Sequence, residues 1–482
     1  MQLAIISAFM LYFFLLLMLG LLLHRKQTSS SDYIMGNRSL NFWLVALSAH
    51  ASDMSAWLFM AFPMSIFVLG LSRCWIAVGL LLGMYLNWQY VAPRLRTMTE
   101  KYQAYTLSSF FEKRFQDNTG IIRVASSIVM IIFLTHYLSA GLIAMGNLFE
   151  SLFSIDYYLG LSIAMLVVVI YTYMGGFNTV AWTDLIQGLF LLAMIILVPA
   201  IAYTKIDGWD QIVQMAGKKE VSLSFIPDGG FDTFFTIGSL MLGWGLGYFG
   251  MPHIITKFMG IKNVSELNKS KWLGMSWQLV ALGAATFVGL VAIAYFPSGI
   301  DKPEMVFVEM VKDIFHPFFS GFILCAIVAA NLSTMDSQIL VCASTMSEDL
   351  FVPFHRKPPS DSKILLFSKL SVIVVSVIAL ILAFNRSATI LDTVLYSWSG
   401  LGSAFGPLVL MSLYSNSVNR YGALAGIVTG TAITMVWPTI NPVITNYTIL
   451  PMIPGFILSA VVILLMSFLT RGGERNLERF DT

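Results

Sequence analysis

Apolar residues run along this chain in blocks of about twenty, longer than the alternation of a strand or the one-sided stripe of a surface helix. That is the length an α-helix needs to cross a bilayer at 1.5 Å per residue. The blocks fall near residues 4–23, 41–67, 74–92, 124–149, 158–174, 183–203, 233–255, 273–296, 317–345, 367–385, 389–414, 421–437 and 451–470, which predicts an all-α polytopic membrane protein of about thirteen spans. Two blocks are interrupted. The second carries Ser48, Ser52, Asp53 and Ser55, then Pro63, and the seventh packs four glycines and a proline into LGWGLGYFGMPH. Both are expected to unwind near the midplane: at about 1.5 Å per residue, Asp53 lies roughly 18 Å into its span and Trp244 roughly 17 Å into the other. Non-helical backbone at such depth survives only where protein buries it or a cavity lies beside it.

The two interrupted spans stand five apart and run in opposite directions, as in two inverted five-helix repeats that hold a transport site between broken helices. Position and orientation alone carry this reading, for the halves share no residue-level pattern. The division expected is 1–40 (first helix and loop), 41–230 and 231–416 (the two repeats), and 417–482 (two peripheral helices and a tail).

Composition agrees with a membrane protein: 57% of the 482 residues are hydrophobic and 11% charged, where soluble domains carry roughly 25% charged residues. A formal net charge of +2 gives no reason to expect a nucleic-acid partner. Extramembrane stretches of at most about thirty residues leave no room for a soluble catalytic domain, so neither an enzyme nor an obligate protein partner is expected. The first block has its basic residues after it and no cleavage motif, and reads as a retained span rather than a signal peptide. Cys74, Cys325 and Cys342 are too few and scattered for disulfides or a thiolate metal site and read as packing residues.

Basic residues orient the spans. One side holds Arg25, Lys26, Arg94, Arg96, Lys101, Lys113, Arg114, Lys257, Lys262, Lys269, Lys271, Arg356, Arg471, Arg475 and Arg479, among others; the opposite side holds only Arg73, Lys205, Lys218, Lys219, Lys302, Lys312 and Arg386. The positive-inside rule then places the N-terminus outside and the C-terminus in the cytoplasm, in a plasma (inner) membrane.

The candidate chemistry lies at midplane. A carboxylate such as Asp53 is costly there and is read as functional by default. Span nine, AIVAANLSTMDSQILVCAS, brings Ser333 and Thr334 to the same level. Hydroxyls together with carbonyls freed by an unwound helix suit a hard alkali cation, although hydroxyls in a span also bond back to the i−4 carbonyl or tie helices together. Asp336 follows Ser333 by three residues, on the same helix face. With Ser337, and with Asp184 opening span six, it is expected to form a second cation site or a proton-titrating pair. Trp57, Tyr137, Trp244 and Tyr248 share this depth and predict a small chamber with apolar walls and a few polar tips. His50, His136 and His253 lack metal-ligand spacing and read as packing or helix-linking groups. GLGYFG matches the dinucleotide pattern G-x-G-x-x-G in letters only, because no strand can precede it inside a span.

ASDMSAW (51–57), YTYMGGFNTVAWTDLIQ (171–187), WGLGYFGMPHI (244–254) and STMDSQILVCAS (333–344) resemble the sodium/solute symporter family, most closely its sodium/proline members. The resemblance implies a leucine-transporter-like fold and sodium-coupled uptake of a small amino acid, L-proline first, by alternating access. It further implies a sodium site made of the carbonyls of Ala51, Met54 and Ala330 with the hydroxyls of Ser333 and Thr334, with Asp53 supporting it. Substrate contacts would come from Ser55, Trp57, Tyr137, Trp244, Tyr248 and Pro252, and a second cation site from Asp184, Asp336 and Ser337. The chain departs from the family pattern in carrying a carboxylate at 336 and Met251 where glutamine is usual. The rival expectations are a proton-coupled carrier using Asp184 and Asp336, a carrier of another amino acid or organic acid, or a solute sensor that does not transport.

Overall fold

The computed structural model describes residues 2–23, 30–355, 357, 359–386, 388–446 and 448–470. Among these residues regular structure is helical, apart from one isolated bridge between Leu40 and Ile261. The long helices are α1 (Gln2–Leu23), α2 in two halves (Phe42–Met54 and Ala61–Leu69), α3 (Leu71–Lys101), α4 (Ile121–Phe153), α5 (Tyr157–Met174) and α6 (Phe177–Tyr203). They continue with α7 in two halves (Phe231–Gly245 and Pro252–Met259), α8 (Leu267–Tyr295), α9 (Pro317–Ser344), α10 (Asp361–Ala383), α11 (Ile390–Tyr414), α12 (Arg420–Thr445) and α13 (Met452–Leu469). Ten helices are long and apolar enough to span a bilayer among the described residues, and the two bent pairs raise that to twelve. Helix α5, 18 residues long, fills the place of the remaining expected span, and length and composition establish ten to twelve spans among the described residues.

Both interrupted blocks are broken helices. In α2 the chain leaves the helix at Ser55 (φ 38°, ψ −171°), makes a tight turn over Ala56–Leu58 and re-enters at Ala61, with a 66° bend between the halves. Pro63 lies in the first turn of the second half, where a missing N–H costs nothing. In α7 a tight turn over Leu246–Gly250 ends at an extended Met251, and Pro252 starts the second half with a 48° bend.

Side chains from other helices bond the freed backbone. The N–H groups of Ser55 and Ala56 donate to Thr334 Oγ1 (3.1 Å) and Asn331 Oδ1 (3.0 Å) of α9. At the α7 break, Asn87 Nδ2 donates to the Tyr248 carbonyl (3.1 Å) and Trp398 Nε1 to the Trp244 carbonyl (2.9 Å). Thus the breaks are built, not frayed: the Ser55 and Ala56 amides and the Trp244 and Tyr248 carbonyls have side-chain partners from neighbouring helices, as hydrocarbon surroundings demand. Gly247 is needed for this approach, since a Cβ there would stand 2.0 Å from Trp398 Nε1.

Helix α9 is the central post, with 83% of its apolar window buried against 28% for α1 and α13 at the periphery. Helix α3 runs ten residues or so beyond its apolar block because its last turns carry Arg94, Arg96 and Lys101, which a hydropathy reading assigns to a loop. The loops also hold amphipathic helices over Leu107–Arg114, Gly208–Lys218 and Val306–Ile314.

Candidate functional site

The end of the first half of α2 meets the middle of α9 in a cradle of neutral oxygens. Ser333 Oγ lies 2.9 Å from the Ala51 carbonyl and 3.0 Å from that of Ala330, and Thr334 Oγ1 donates to Ala330 O at 3.1 Å. In an unbroken helix the Ala51 carbonyl would accept from the Ser55 N–H; here that N–H turns to Thr334, and the Ser333 hydroxyl takes its place. Met54 ends the helical half, so its carbonyl is among those a helix C-terminus leaves without an intrahelical donor. Ala51, Met54, Ala330, Ser333 and Thr334 are all buried. Carbonyls and hydroxyls without a formal charge fit a monovalent hard cation, and no group of three His, Cys, Asp or Glu able to hold a metal occurs among the described residues.

Beside the cradle lies a narrow, nearly filled chamber walled by Asp53, Trp57, Tyr137, Trp244, Tyr248 and Trp398, with Met54, Leu80 and Val394 completing it. The indoles of Trp57 and Trp244 pack with ring centres 5.1 Å apart, and Trp398 meets Tyr248 edge-on at 5.1 Å. Gln278 Nε2 donates to the Tyr248 hydroxyl (2.9 Å), which donates to Asp53 Oδ2 (2.5 Å), a chain of bonds crossing from α8 through α7 to α2. The Trp57 indole N–H is buried with no hydrogen-bond partner.

Two expected substrate residues stand off this lining. Ser55 Oγ accepts from the Trp57 backbone N–H (3.2 Å) and so shapes the turn. Pro252 lines a second, narrow cavity, together with Tyr105, His253, Thr256, Lys257, Ser337 and Ser344 among others. Tyr137 of the chamber and His253 of this cavity touch edge-to-face at 5.9 Å, so the two spaces share a wall.

The third expected group is assembled differently from its sequence reading. Asp184 Oδ2 accepts from Ser48 Oγ (2.6 Å), Ser52 Oγ (3.1 Å) and Lys257 Nζ (3.0 Å), and Ser52 Oγ lies 2.9 Å from Ser337 Oγ. Asp336 is fully buried, and neither of its oxygens has a well-formed hydrogen bond. Lys257, assigned above to a loop, is in fact 1% exposed in the second half of α7 and paired with Asp184. The hydropathy block ends just before it because a charge was read as the edge of the membrane, whereas the partner carboxylate is what carries that charge inside.

Gln278, Asn331, Trp398 and Lys257 are the site residues that the sequence reading passed over. Asn331 could have been found as an amide in mid-span; it receives the Ala56 N–H and donates to Gly141 O at 3.0 Å, tying the α2 break to α4. Trp398 has no such signal, since an indole in an apolar span looks like packing. His50 and His136 do link helices, through Trp88 Nε1 (3.2 Å) and Ser397 Oγ (2.8 Å), and the three cysteines are buried and free.

The sodium:solute symporter family model matches residues 33–430. The chain is 41% identical to the osmoregulated proline transporter OpuE of Bacillus subtilis (strain 168) over 475 residues, covering 98% of this chain and 96% of that protein. It is 40% identical to the high-affinity proline transporter PutP of the same organism (95% and 96% covered) and 40% identical to a sodium/proline symporter of Staphylococcus aureus (95% and 91%). Among solved structures it superposes on a substrate-bound, outward-open Na⁺-coupled sialic acid symporter with a TM-score of 0.81 at 17% identity, covering 97% of this chain and 98% of that one. It also matches MhsT in complex with L-phenylalanine (TM-score 0.55, 15% identity, 89% and 98% covered). These two structures share its all-α, leucine-transporter-like fold with broken helices. On its sequence over nearly its whole length, this chain belongs to the sodium:solute symporter family, multi-span membrane carriers and not enzymes.

Proposed function

We propose that this protein takes up L-proline by sodium-coupled alternating access. The observation that carries the reading is the neutral oxygen cradle on the broken α2, adjoining a chamber walled by aromatic rings with the Asp53 carboxylate at its edge. Proline is the substrate named for the relatives that are about 40% identical over almost all of this chain.

Sodium, the co-transported ion, takes the carbonyls of Ala51, Met54 and Ala330 and the hydroxyls of Ser333 and Thr334. Those hydroxyls then turn their lone pairs to the ion and cease donating to the carbonyls, which holds the α2 break firmly against α9. Asp53, held by the Tyr248 hydroxyl, supports the site from the chamber side and faces the solute's cationic nitrogen. The unpaired Trp57 N–H is the donor for the solute's carboxylate, and Trp244, Tyr137 and Tyr248 enclose the ring. Ser55 and Pro252 act through the backbone turns that present these groups. Ordering of α2 by either ligand favours the other, and the coupling is reciprocal.

The inverted repeats span 41–230 and 231–416, flanked by 1–40 and 417–482. In the plasma membrane the N-terminus lies outside and the C-terminus inside, on the balance of basic loop residues; Arg25, Lys26, Arg356, Arg471, Arg475 and Arg479 of that balance lie outside the described residues, and Lys257 drops out of it. The cavity from Pro252 to Ser344 then opens toward the cytoplasm and forms the exit, with Tyr137 and His253 as the partition. Uptake of labelled proline by proteoliposomes, with and without an inward sodium gradient, tests the reading: accumulation only with the gradient is expected, and accumulation driven equally by a proton gradient alone overturns it.

A further inference from the structure

The Asp184 cluster has the makings of a cation site independent of the cradle. One carboxylate oxygen gathers the hydroxyls of Ser48 and Ser52, and Ser337 adjoins them through Ser52. Ligating oxygens remain available, because Asp184 Oδ1 and both oxygens of Asp336 are buried without a well-formed hydrogen bond. Yet the cluster already contains a single positive charge, the Lys257 ammonium, 3.0 Å from Asp184 Oδ2. That ammonium is 5.3 Å from the centre of the Phe177 ring, and Lys257 lines the cavity that Pro252 also borders.

An ammonium and an alkali ion carry the same charge and seek the same oxygens, so they compete for one place. Placing lysine at this depth is costly unless a carboxylate neutralises it, and its anchorage to α7 means it cannot leave with the solute. We propose that the Lys257 ammonium is a resident, tethered cation that fills the Asp184–Ser48–Ser52–Ser337 site, so that only the cradle takes a free sodium ion, and that removing the ammonium opens this site to a second monovalent alkali cation. The inference rests on the sodium-coupled reading above and adds the residue that sets the number of ions bound.

The residue predicts its own test. Wild type, Lys257→Arg and Lys257→Met are purified at full length, and sodium is counted in two ways: ²²Na⁺ bound at equilibrium per protein, and sodium moved per proline in proteoliposomes. Wild type and Lys257→Arg bind one ion and show a sodium Hill coefficient of about 1, whereas Lys257→Met binds two, with a coefficient approaching about 2. Two ions bound by wild type, or one by Lys257→Met, overturns the proposal. Should Lys257→Met fail to fold, Lys257→Met with Asp336→Asn, which keeps the formal charge of the cluster, replaces it: two ions support the proposal and one overturns it. Absence of any sodium-dependent proline uptake by wild type would instead fell the parent reading, while equilibrium counting still decides whether Lys257 blocks a cation.

Discussion

The neutral cradle and the charged cluster are neighbours that solve the burial of polarity in opposite ways. Both are made where α2 passes α9, and their members interleave along the chain: Ala51 beside Ser52, Thr334 three residues before Ser337. In the cradle, the Ala51 carbonyl at the α2 break and the Ala330 carbonyl of the unbroken α9 accept from the Ser333 and Thr334 hydroxyls, and no formal charge is present to hold an ion. In the cluster, a carboxylate is already matched by an ammonium and two hydroxyls. Binding and release of a transported ion need a site whose donors have a tolerable alternative arrangement; a charge already neutralised within the protein does not let go so readily. On the proposed reading the cradle is the transport site and the cluster its fixed companion, and substitutions in the two should have different signatures.

The largest effect is expected at the cluster. Asp184→Asn strands the Lys257 ammonium inside the bundle, and breaking a buried pair from one side costs about 3–5 kcal/mol. Thermal unfolding of the purified protein should show a marked loss of stability, with transport falling in proportion to the folded fraction. Asp184→Asn combined with Lys257→Met should recover most of that loss. If the single variant is as stable as wild type, the pair is not structural and the comparison fails.

At the cradle the damage should fall on sodium affinity. Thr334→Ala removes one hydroxyl ligand and the acceptor of the Ser55 N–H. The half-saturating sodium concentration should rise about tenfold or more, equivalent to about 1.4 kcal/mol or more, with maximum rate changed far less. Sodium activation curves of proline uptake check this; an unshifted curve removes Thr334 from the ion's ligands. Trp244→Ala in the adjoining chamber should raise the half-saturating proline concentration by roughly tenfold, since a buried indole is a typical anchor. The Trp398 bond goes to the backbone carbonyl of Trp244, so the α7 break survives the substitution. Equilibrium sodium binding without proline should stay near wild type, which separates chamber from cradle.

The breaks and the cradle were legible in the sequence for a shared reason. Ser55, Pro63, the α7 glycines and the Ser333–Thr334 pair all violate the apolar pattern of a span, and a violation at midplane depth is informative. Lys257 broke the same pattern, but at the end of a block, where a charge and a loop look alike; only the position of Asp184, 73 residues earlier in the chain, distinguishes them. The tie between Trp398 and Gly247 was invisible for the contrary reason. It is a close approach between α11 and α7, and which indole meets the glycine leaves no mark on hydropathy. Helix α5, at Tyr157–Met174, occupies the block expected for the fifth span.

The smallest effect offers the finest discrimination between the two regions. Ser48→Ala deletes one of three donors to Asp184 Oδ2, leaving Ser52 and Lys257 in place. A hydrogen bond to a charged group contributes about 1.5–3 kcal/mol, and the lower end applies where two other donors remain to close on the same oxygen. A modest fall in unfolding temperature should follow, with both the sodium activation curve and the proline affinity unmoved. Ser333→Ala removes a hydroxyl at a similar depth from the cradle and should do the reverse, shifting the sodium curve while altering stability little. Measured side by side, the pair asks whether a buried serine here serves the bundle or the ion, and identical responses would mean that the two regions work as a single polar network.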